Sequence, residues 1–202
     1  MAINSDREYR SVANFEVRSA ETEEENYIVE GYATTFNDPY VLWDDGELVI
    51  KEQISPDAFK DADMSDVLFL YNHEGRVYAR QKNGSLALTV ENEGLHIRAN
   101  LGLTEESRKM YEDIKAGLVD QMSWAFTVAP DGDEYDKKEH LRTINRVRKV
   151  YDVSAVSYPA NPSTSIAARS FVDGVIKEEL AERLAHEKAL ELARKKFEFL
   201  ED

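Results

Sequence analysis

Apolar and polar positions along this chain alternate more often than they recur at helical spacing, and alternation over a few residues predicts half-buried strands. Tyr27 to Phe36 reads as a strand interrupted by Gly31 and closed by the turn Asn37-Asp38-Pro39. Tyr40 to Trp43 and Leu48 to Ile50 read as hairpin arms around Asp44-Asp45-Gly46. Ser55 before Pro56 is a helix-start signal and predicts a short helix ending near Asp63. Val67 to Tyr71 is an unbroken apolar run, the pattern of a strand buried on both sides. Ser85 to Val90 and Leu95 to Leu101 pair across Glu91-Asn92-Glu93-Gly94. Thr104 caps a helix that carries Glu105 and Glu106 in its first turn and Gly117 at its end; Met110, Tyr111, Ile114 and Leu118 form its apolar stripe. Met122, Trp124, Phe126 and Val128 then alternate, which leaves Ser123, Ala125 and Thr127 on the other, small and polar face.

Strand-like segments follow between Leu141 and Val156, and Pro159-Ala160-Asn161-Pro162 stops them. From about Asp173 to Leu200 the composition turns to Ala, Leu, Glu, Lys and Arg, which predicts a long helix. The first dozen residues read as a frayed or edge segment. Sequential strands with few helices predict a mainly β, α+β fold of roughly seven or eight strands: a mostly antiparallel barrel or sandwich decorated by helices, plus the C-terminal helix, with a barrel of about seven strands the expected form.

Composition narrows the functions available. The 202 residues, 42% of them hydrophobic and 10% aromatic, suffice for one real core and an appendage. Cysteine is absent, which excludes disulfides, thiol catalysis and cysteine zinc sites. The four histidines show no metal-ligand spacing, so no metal and no cofactor is expected. The N-terminus is polar and charged, unlike a signal peptide, and no apolar run approaches the roughly 20 residues that span a bilayer. The expected protein is therefore soluble and cytoplasmic, with no membrane partner. A net charge of -15 repels phosphates and argues against direct nucleic-acid binding. The basic residues between Arg142 and Lys149 are the best local exception and read as a solvated strand face.

Three residues could carry hydroxyl chemistry, which needs a nucleophile, a base and a group that orients the base. Ser123 lies on a strand face without bulk, where it is either a nucleophile or an ordinary surface serine. His73, in Asn72-His73-Glu74-Gly75, closes the apolar run; it is either a base held at a strand end or a turn residue bonded to its neighbours. Asp152 is either an ordinary surface carboxylate or the partner of a histidine N–H; it interrupts the apolar stretch Val150 to Val156, where a charge is unfavourable without a partner. There is no Gly-x-Ser-x-Gly elbow, which argues against an α/β-hydrolase.

Together the segments resemble the phage prohead protease family, capsid-maturation serine peptidases related in fold to herpesvirus assemblins. The resemblance runs over roughly residues 14 to 170. Its motifs, in order, are Glu30-Gly31-Tyr32-Ala33 with a following Phe36, Ile54-Ser55-Pro56-Asp57-Ala58-Phe59, Leu70-Tyr71-Asn72-His73-Glu74, Gly84-Ser85-Leu86 with Gly94-Leu95, Ala116-Gly117-Leu118-Val119-Asp120-Gln121-Met122-Ser123-Trp124-Ala125-Phe126 and Asp152-Val153-Ser154-Ala155-Val156-Ser157-Tyr158-Pro159-Ala160-Asn161-Pro162. It implies an assemblin-like fold, with an N-terminal segment (1–13), a serine protease domain (14–170) and a C-terminal helix (171–202) for docking or dimerisation. It implies Ser123 as nucleophile, His73 as general base and Asp152 as the orienting group, in a position often held by Glu in the family. By analogy with assemblins it makes the backbone N–H groups of Ala160 and Asn161 candidates for the oxyanion hole. Trp124-Ala125 replaces the family's usual Phe-Gly, a change expected to narrow the cleft.

The resemblance also implies the partners: a scaffolding protein and a major capsid protein inside an assembling prohead in the host cytoplasm, self-cleavage, and a homodimer or higher oligomer. A non-catalytic assembly module on the same fold, or a hydrolase with a closed small-molecule pocket, are the competing expectations.

Overall fold

The computed structural model describes residues 7–13, 16–17, 27–157 and 166–198. In chain order its strands are β1 (Glu8–Ala13), β2 (Glu16–Val17), β3 (Ile28–Thr35), β4 (Tyr40–Asp44), β5 (Val49–Ile54), β6 (Leu68–Tyr71), β7 (Glu74–Arg80), β8 (Leu86–Val90), β9 (Gly94–Asn100), β10 (Gln121–Val128), β11 (Asp133–Asp136), β12 (Leu141–Ile144) and β13 (Val147–Val156). Helix α1 (Glu105–Lys115) lies between β9 and β10, and α2 (Ile166–Glu198) follows β13.

The strands form three sheets, ordered β1-β10-β13-β6-β7, β11-β12-β5-β4 and β2-β3-β9-β8. The expected closed barrel is absent among the described residues: each sheet ends in open edges, and no ladder joins one to the next. Alternation fixes which face a side chain takes, but not which strand edges meet. Two pairings, β13 with β6 and β12 with β5, are parallel. Register shifts leave Ala33 of β3 and Tyr151 of β13 as extra residues, bulges that bend those strands. The sheets share one core, which includes Val29, Phe59, Phe69, Ile97, Leu101, Met110, Trp124, Phe126 and Val153.

Helix α1 forms as its sequence directs. Thr104 is extended and its hydroxyl accepts from the Ser107 N–H, while Met110, Tyr111 and Ile114 are buried. Leu118, expected in the same stripe, is 73% exposed, because Gly117 turns at φ +71° and the chain leaves the helix before it. The predicted helix after Ser55 is a series of turns instead. Ala58 N–H bonds the Ser55 carbonyl, Lys60 that of Asp57 and Ala62 that of Phe59, all at three-residue spacing. Ser55 N–H also bonds Ile144 and Asp63 N–H bonds Arg148, so both ends are tied to neighbouring strands before a full helical turn develops.

Helix α2 begins at Ile166, earlier than the expected Asp173, and runs through Gly174. Val172 and Val175 pack with Leu42 and Ile50 in a second small core, and this burial outweighs a helical glycine's penalty of about 1 kcal/mol.

Candidate active site

Parallel pairing of β6 with β13 begins the site. Asp152 stands opposite Leu68 and Ala155 opposite Tyr71, so β6 delivers its last residue beyond Asp152. The chain then reverses in a two-residue turn, with Tyr71 paired to Glu74. Asn72 (φ 51°) and His73 (φ 62°) are both left-handed, the geometry of a hairpin turn that follows the strand twist. Such φ values are uncommon outside glycine, and Asn and His are among the residues that tolerate them best. The turn is fastened to the end of β13: Asn72 N–H bonds the Ala155 carbonyl at 2.9 Å, and Ser157 N–H bonds Asn72 Oδ1 at 3.1 Å.

Antiparallel pairing of β10 with β13 supplies the third side chain, with Ser123 opposite Ser154 and Ala125 opposite Asp152. The structure thus brings the three residues singled out in the sequence together. His73 Nδ1 lies 2.6 Å from Asp152 Oδ1, and His73 Nε2 lies 2.7 Å from Ser123 Oγ. The carboxylate accepts from Nδ1–H, which leaves Nε2 as the acceptor facing the hydroxyl. Asp152 is 2% exposed, so its charge sits where only a donor such as the imidazole makes it tolerable. The arrangement can pass a proton from hydroxyl to imidazole while the carboxylate stabilises the cation formed.

Ser123 is not on an exposed face. It is 0% exposed, as is Ala125, and Thr127 is 5% exposed, so β10 is buried on both sides. The alternation that marks its apolar face is real, but over the Ser123 face lie His73, bonded to Ser123 Oγ, and the Tyr9 ring packed against that imidazole. Trp124 does not narrow the site. It lies on the opposite face, stacked on Phe126 at 3.8 Å between centroids and 5.6 Å from Phe59 in the core.

Strand β1, expected as a frayed or edge segment, is the edge strand of its sheet and part of the site. It pairs with β10 so that Ser11 faces Ser123. The Arg10 carbonyl accepts from Ser123 Oγ at 2.9 Å, so the one hydroxyl proton faces two acceptors, this carbonyl and His73 Nε2. The Tyr9 ring meets the imidazole edge-on at 4.7 Å. A segment whose apolar residues, Tyr9 and Val12, do not alternate carries little pattern by which these roles could be found. Ser154, whose Oγ donates to Asp152 Oδ1 at 2.6 Å, also went unpredicted; its spacing of two from Asp152 on one strand is the available signal.

The Arg10 side chain turns to the other face of the sheet and enters a buried ionic cluster. Its Nε donates to Glu52 Oε1 at 2.5 Å and another nitrogen bonds Glu8. Arg142 Nη1 donates to Glu52 at 2.8 Å and to Glu8 at 2.9 Å, and its Nε to Asp133 at 2.6 Å. Arg142 is 4% exposed, so the basic stretch 142–149 is no uniformly solvated face. Burial alone would lower the Arg10 guanidinium, but Glu52, Tyr40 and Glu8 outweigh it and push it well above its usual range. Burial alone would raise Glu52; the charges and hydrogen bonds of Arg10 and Arg142 hold it below the ordinary carboxylate range.

Ala160 and Asn161, the oxyanion-hole candidates, lie outside the described residues, as does the rest of the Tyr158–Pro162 motif.

Comparison with known proteins places this chain in a family. The chain is similar to the prohead protease of Enterobacteria phage HK97, with 31% identity over 155 residues, which is 73% of this chain and 62% of that protein. The chain thus spans under two thirds of that relative's length. No solved structure matches it. The sequence model of the caudovirus prohead serine protease matches residues 13–177, a stretch that takes in Ser123, His73 and Asp152, and the chain belongs to that family.

Proposed function

We propose that this protein is a serine endopeptidase of phage prohead maturation, acting inside the assembling capsid in the host cell. Ser123 is the nucleophile, His73 the general base and Asp152 the orienting carboxylate. The observation that carries this reading is the continuous path from Ser123 Oγ through His73 to Asp152, at 2.7 and 2.6 Å. In acyl transfer His73 takes the Ser123 proton as Oγ attacks the scissile carbonyl and returns it to the leaving amine. Backbone donors to the developing oxyanion contribute roughly 3–4 kcal/mol to such a reaction, and the family resemblance points to Ala160 and Asn161. The substrates are the scaffolding protein or the scaffolding part of the major capsid protein, and the enzyme's own chain. The likeness to the HK97 prohead protease supports the setting, and the site geometry supports the chemistry.

A second reading has one observation in its favour. Because Ser123 is fully covered, the chain could serve assembly without cleaving anything. Under the first reading a peptide reaches Ser123 only after this cover opens. Co-expression of the Ser123→Ala variant with the capsid protein of the same phage separates the two. Cleaved scaffold with the parent and intact scaffold with the variant is the expected result; intact scaffold with both favours the assembly module.

A further inference from the structure

Ser154 has a place in the site that a bystander serine would not have. It sits two residues beyond Asp152 on β13 and directly across from Ser123 on β10, so all three side chains share one face. It is 0% exposed, and its hydroxyl donates to Asp152 Oδ1 at 2.6 Å. The same oxygen receives His73 Nδ1 at 2.6 Å. One carboxylate oxygen has two lone pairs, so both donors are accommodated together.

The rotation of an aspartate carboxylate about its last bond is soft and roughly two-fold, so a single donor leaves it poorly fixed. His73 cannot supply the missing restraint. It stands in a reversing turn on left-handed backbone, and its own ring angle depends on the carboxylate it is bonded to. A second donor on the rigid strand that carries Asp152 breaks this circularity. Ser154 is attached to the same β13 backbone, and β13 is paired on both sides, by β10 and β6.

We propose that Ser154 is a positioning residue: its hydroxyl locks the Asp152 carboxylate, and through it the imidazole, in line with Ser123. The proposal rests on the triad reading given above. It assigns Ser154 no contact with substrate and no proton transfer. A buried hydroxyl engaged with a carboxylate is not available as a second nucleophile.

The test uses the whole chain and two readouts, only one of which needs a reactive enzyme. The first is the low-field proton NMR signal of His73 Nδ1–H, assigned by its loss in Asp152→Asn. The second is the rate at which a fluorophosphonate probe labels Ser123, followed by intact mass, with Ser123→Ala as the blank. In Ser154→Ala, Asp152 Oδ1 loses one donor and draws the imidazole proton more strongly, so the signal moves further downfield. Labelling slows roughly 10- to 100-fold, the scale found when partners behind metal-bound histidines are removed. Ser154→Cys, nearly the same shape but a weaker donor, falls between parent and alanine in both readouts.

An unmoved signal in folded Ser154→Ala, or labelling at the parent rate, overturns the proposal. A cysteine variant that matches the parent in both also overturns it, because shape alone would then suffice. If Ser154→Ala does not fold, Ser154→Cys decides on the same two measurements. A parent that shows the signal but resists the probe counts against the peptidase reading, while the signal still decides the role of Ser154.

Discussion

Two buried polar clusters occupy opposite faces of the β1–β10 pair, and they are built on different principles. On one face Ser123, His73, Asp152 and Ser154 are joined by hydrogen bonds in which single protons have alternative places to go. On the other, Arg10 and Arg142 hold Glu8, Glu52 and Asp133 through ion pairs. The raised Arg10 and lowered Glu52 make that lock tighter. The first cluster is suited to moving a proton, the second to holding strands together. Arg10 belongs to both: its guanidinium lies in the lock and its carbonyl touches Ser123. The register of β1 against Ser123 is therefore tied to ion pairs on the far side of the sheet.

Removing a member of the first cluster should affect rate far more than stability. Ser123→Ala is expected to lower peptide cleavage roughly 10⁴- to 10⁶-fold, and Asp152→Asn about 10⁴-fold. Urea unfolding of Ser123→Ala should shift by no more than about 2 kcal/mol, the range for one buried hydrogen-bonding group. A folded Asp152→Asn with near-parent cleavage would remove the functional distinction between the two clusters.

Breaking the lock should do the reverse. Arg10→Met leaves Glu52 and Glu8 with one cation fewer, and loss of one partner from a buried ion pair destabilises by about 3–5 kcal/mol. The denaturation midpoint in urea measures this. Cleavage by the fraction that remains folded should fall less than in Ser123→Ala. A loss of stability under about 1 kcal/mol would mean that the cluster is far less buried in solution.

The lock also sets the acid limit. Glu52 is depressed in the folded state, so its stabilisation is fully present above the unfolded carboxylate value, about 4.3 for Glu. That stabilisation is lost as pH falls through the lower folded value. Stability measured from pH 7 to pH 3 should therefore drop more steeply in the parent than in Glu52→Gln, which is weaker throughout but lacks this proton uptake. Equal slopes would assign acid unfolding to other carboxylates.

The two clusters also differed in how legible they were. Ser123, His73 and Asp152 stood out because each breaks a pattern: a small polar residue opposite an apolar stripe, a histidine ending an apolar run, a charge within one. No local pattern marks the lock, since its charges come from residues 8, 10, 52, 133 and 142 and look like solvated surface until the strands pair. The same limit hid the architecture. Periodicity located β10 and the β8–β9 hairpin, but the parallel β6–β13 pairing and the three open sheets depend on contacts between distant segments. The covered state of Ser123 was hidden for the same reason, because the apolar residues of β1 do not alternate.

Helix α2 gives the smallest expected effect and bounds the comparison from outside. Its early part is structural, since Val172 and Val175 are buried with Leu42 and Ile50, and Phe171 stacks on the Arg142 guanidinium at 4.4 Å. Farther along, Leu180, Leu184 and Leu190 are close to half exposed. A chain ending after Leu180 keeps every one of those buried contacts, so its stability should stay within about 0.5 kcal/mol of the parent. It does lose Glu182, one of the two carboxylates that hold Lys137, but an exposed pair of this kind contributes little. A chain ending after Asp173 loses Val175 and should be measurably weaker, by about 1–3 kcal/mol. If the outer helix serves docking, the longer truncated chain should cleave peptide at the parent rate yet enter proheads poorly. Equal loss of cleavage and incorporation in that folded chain would instead tie the outer helix to the site that β1 and the lock support.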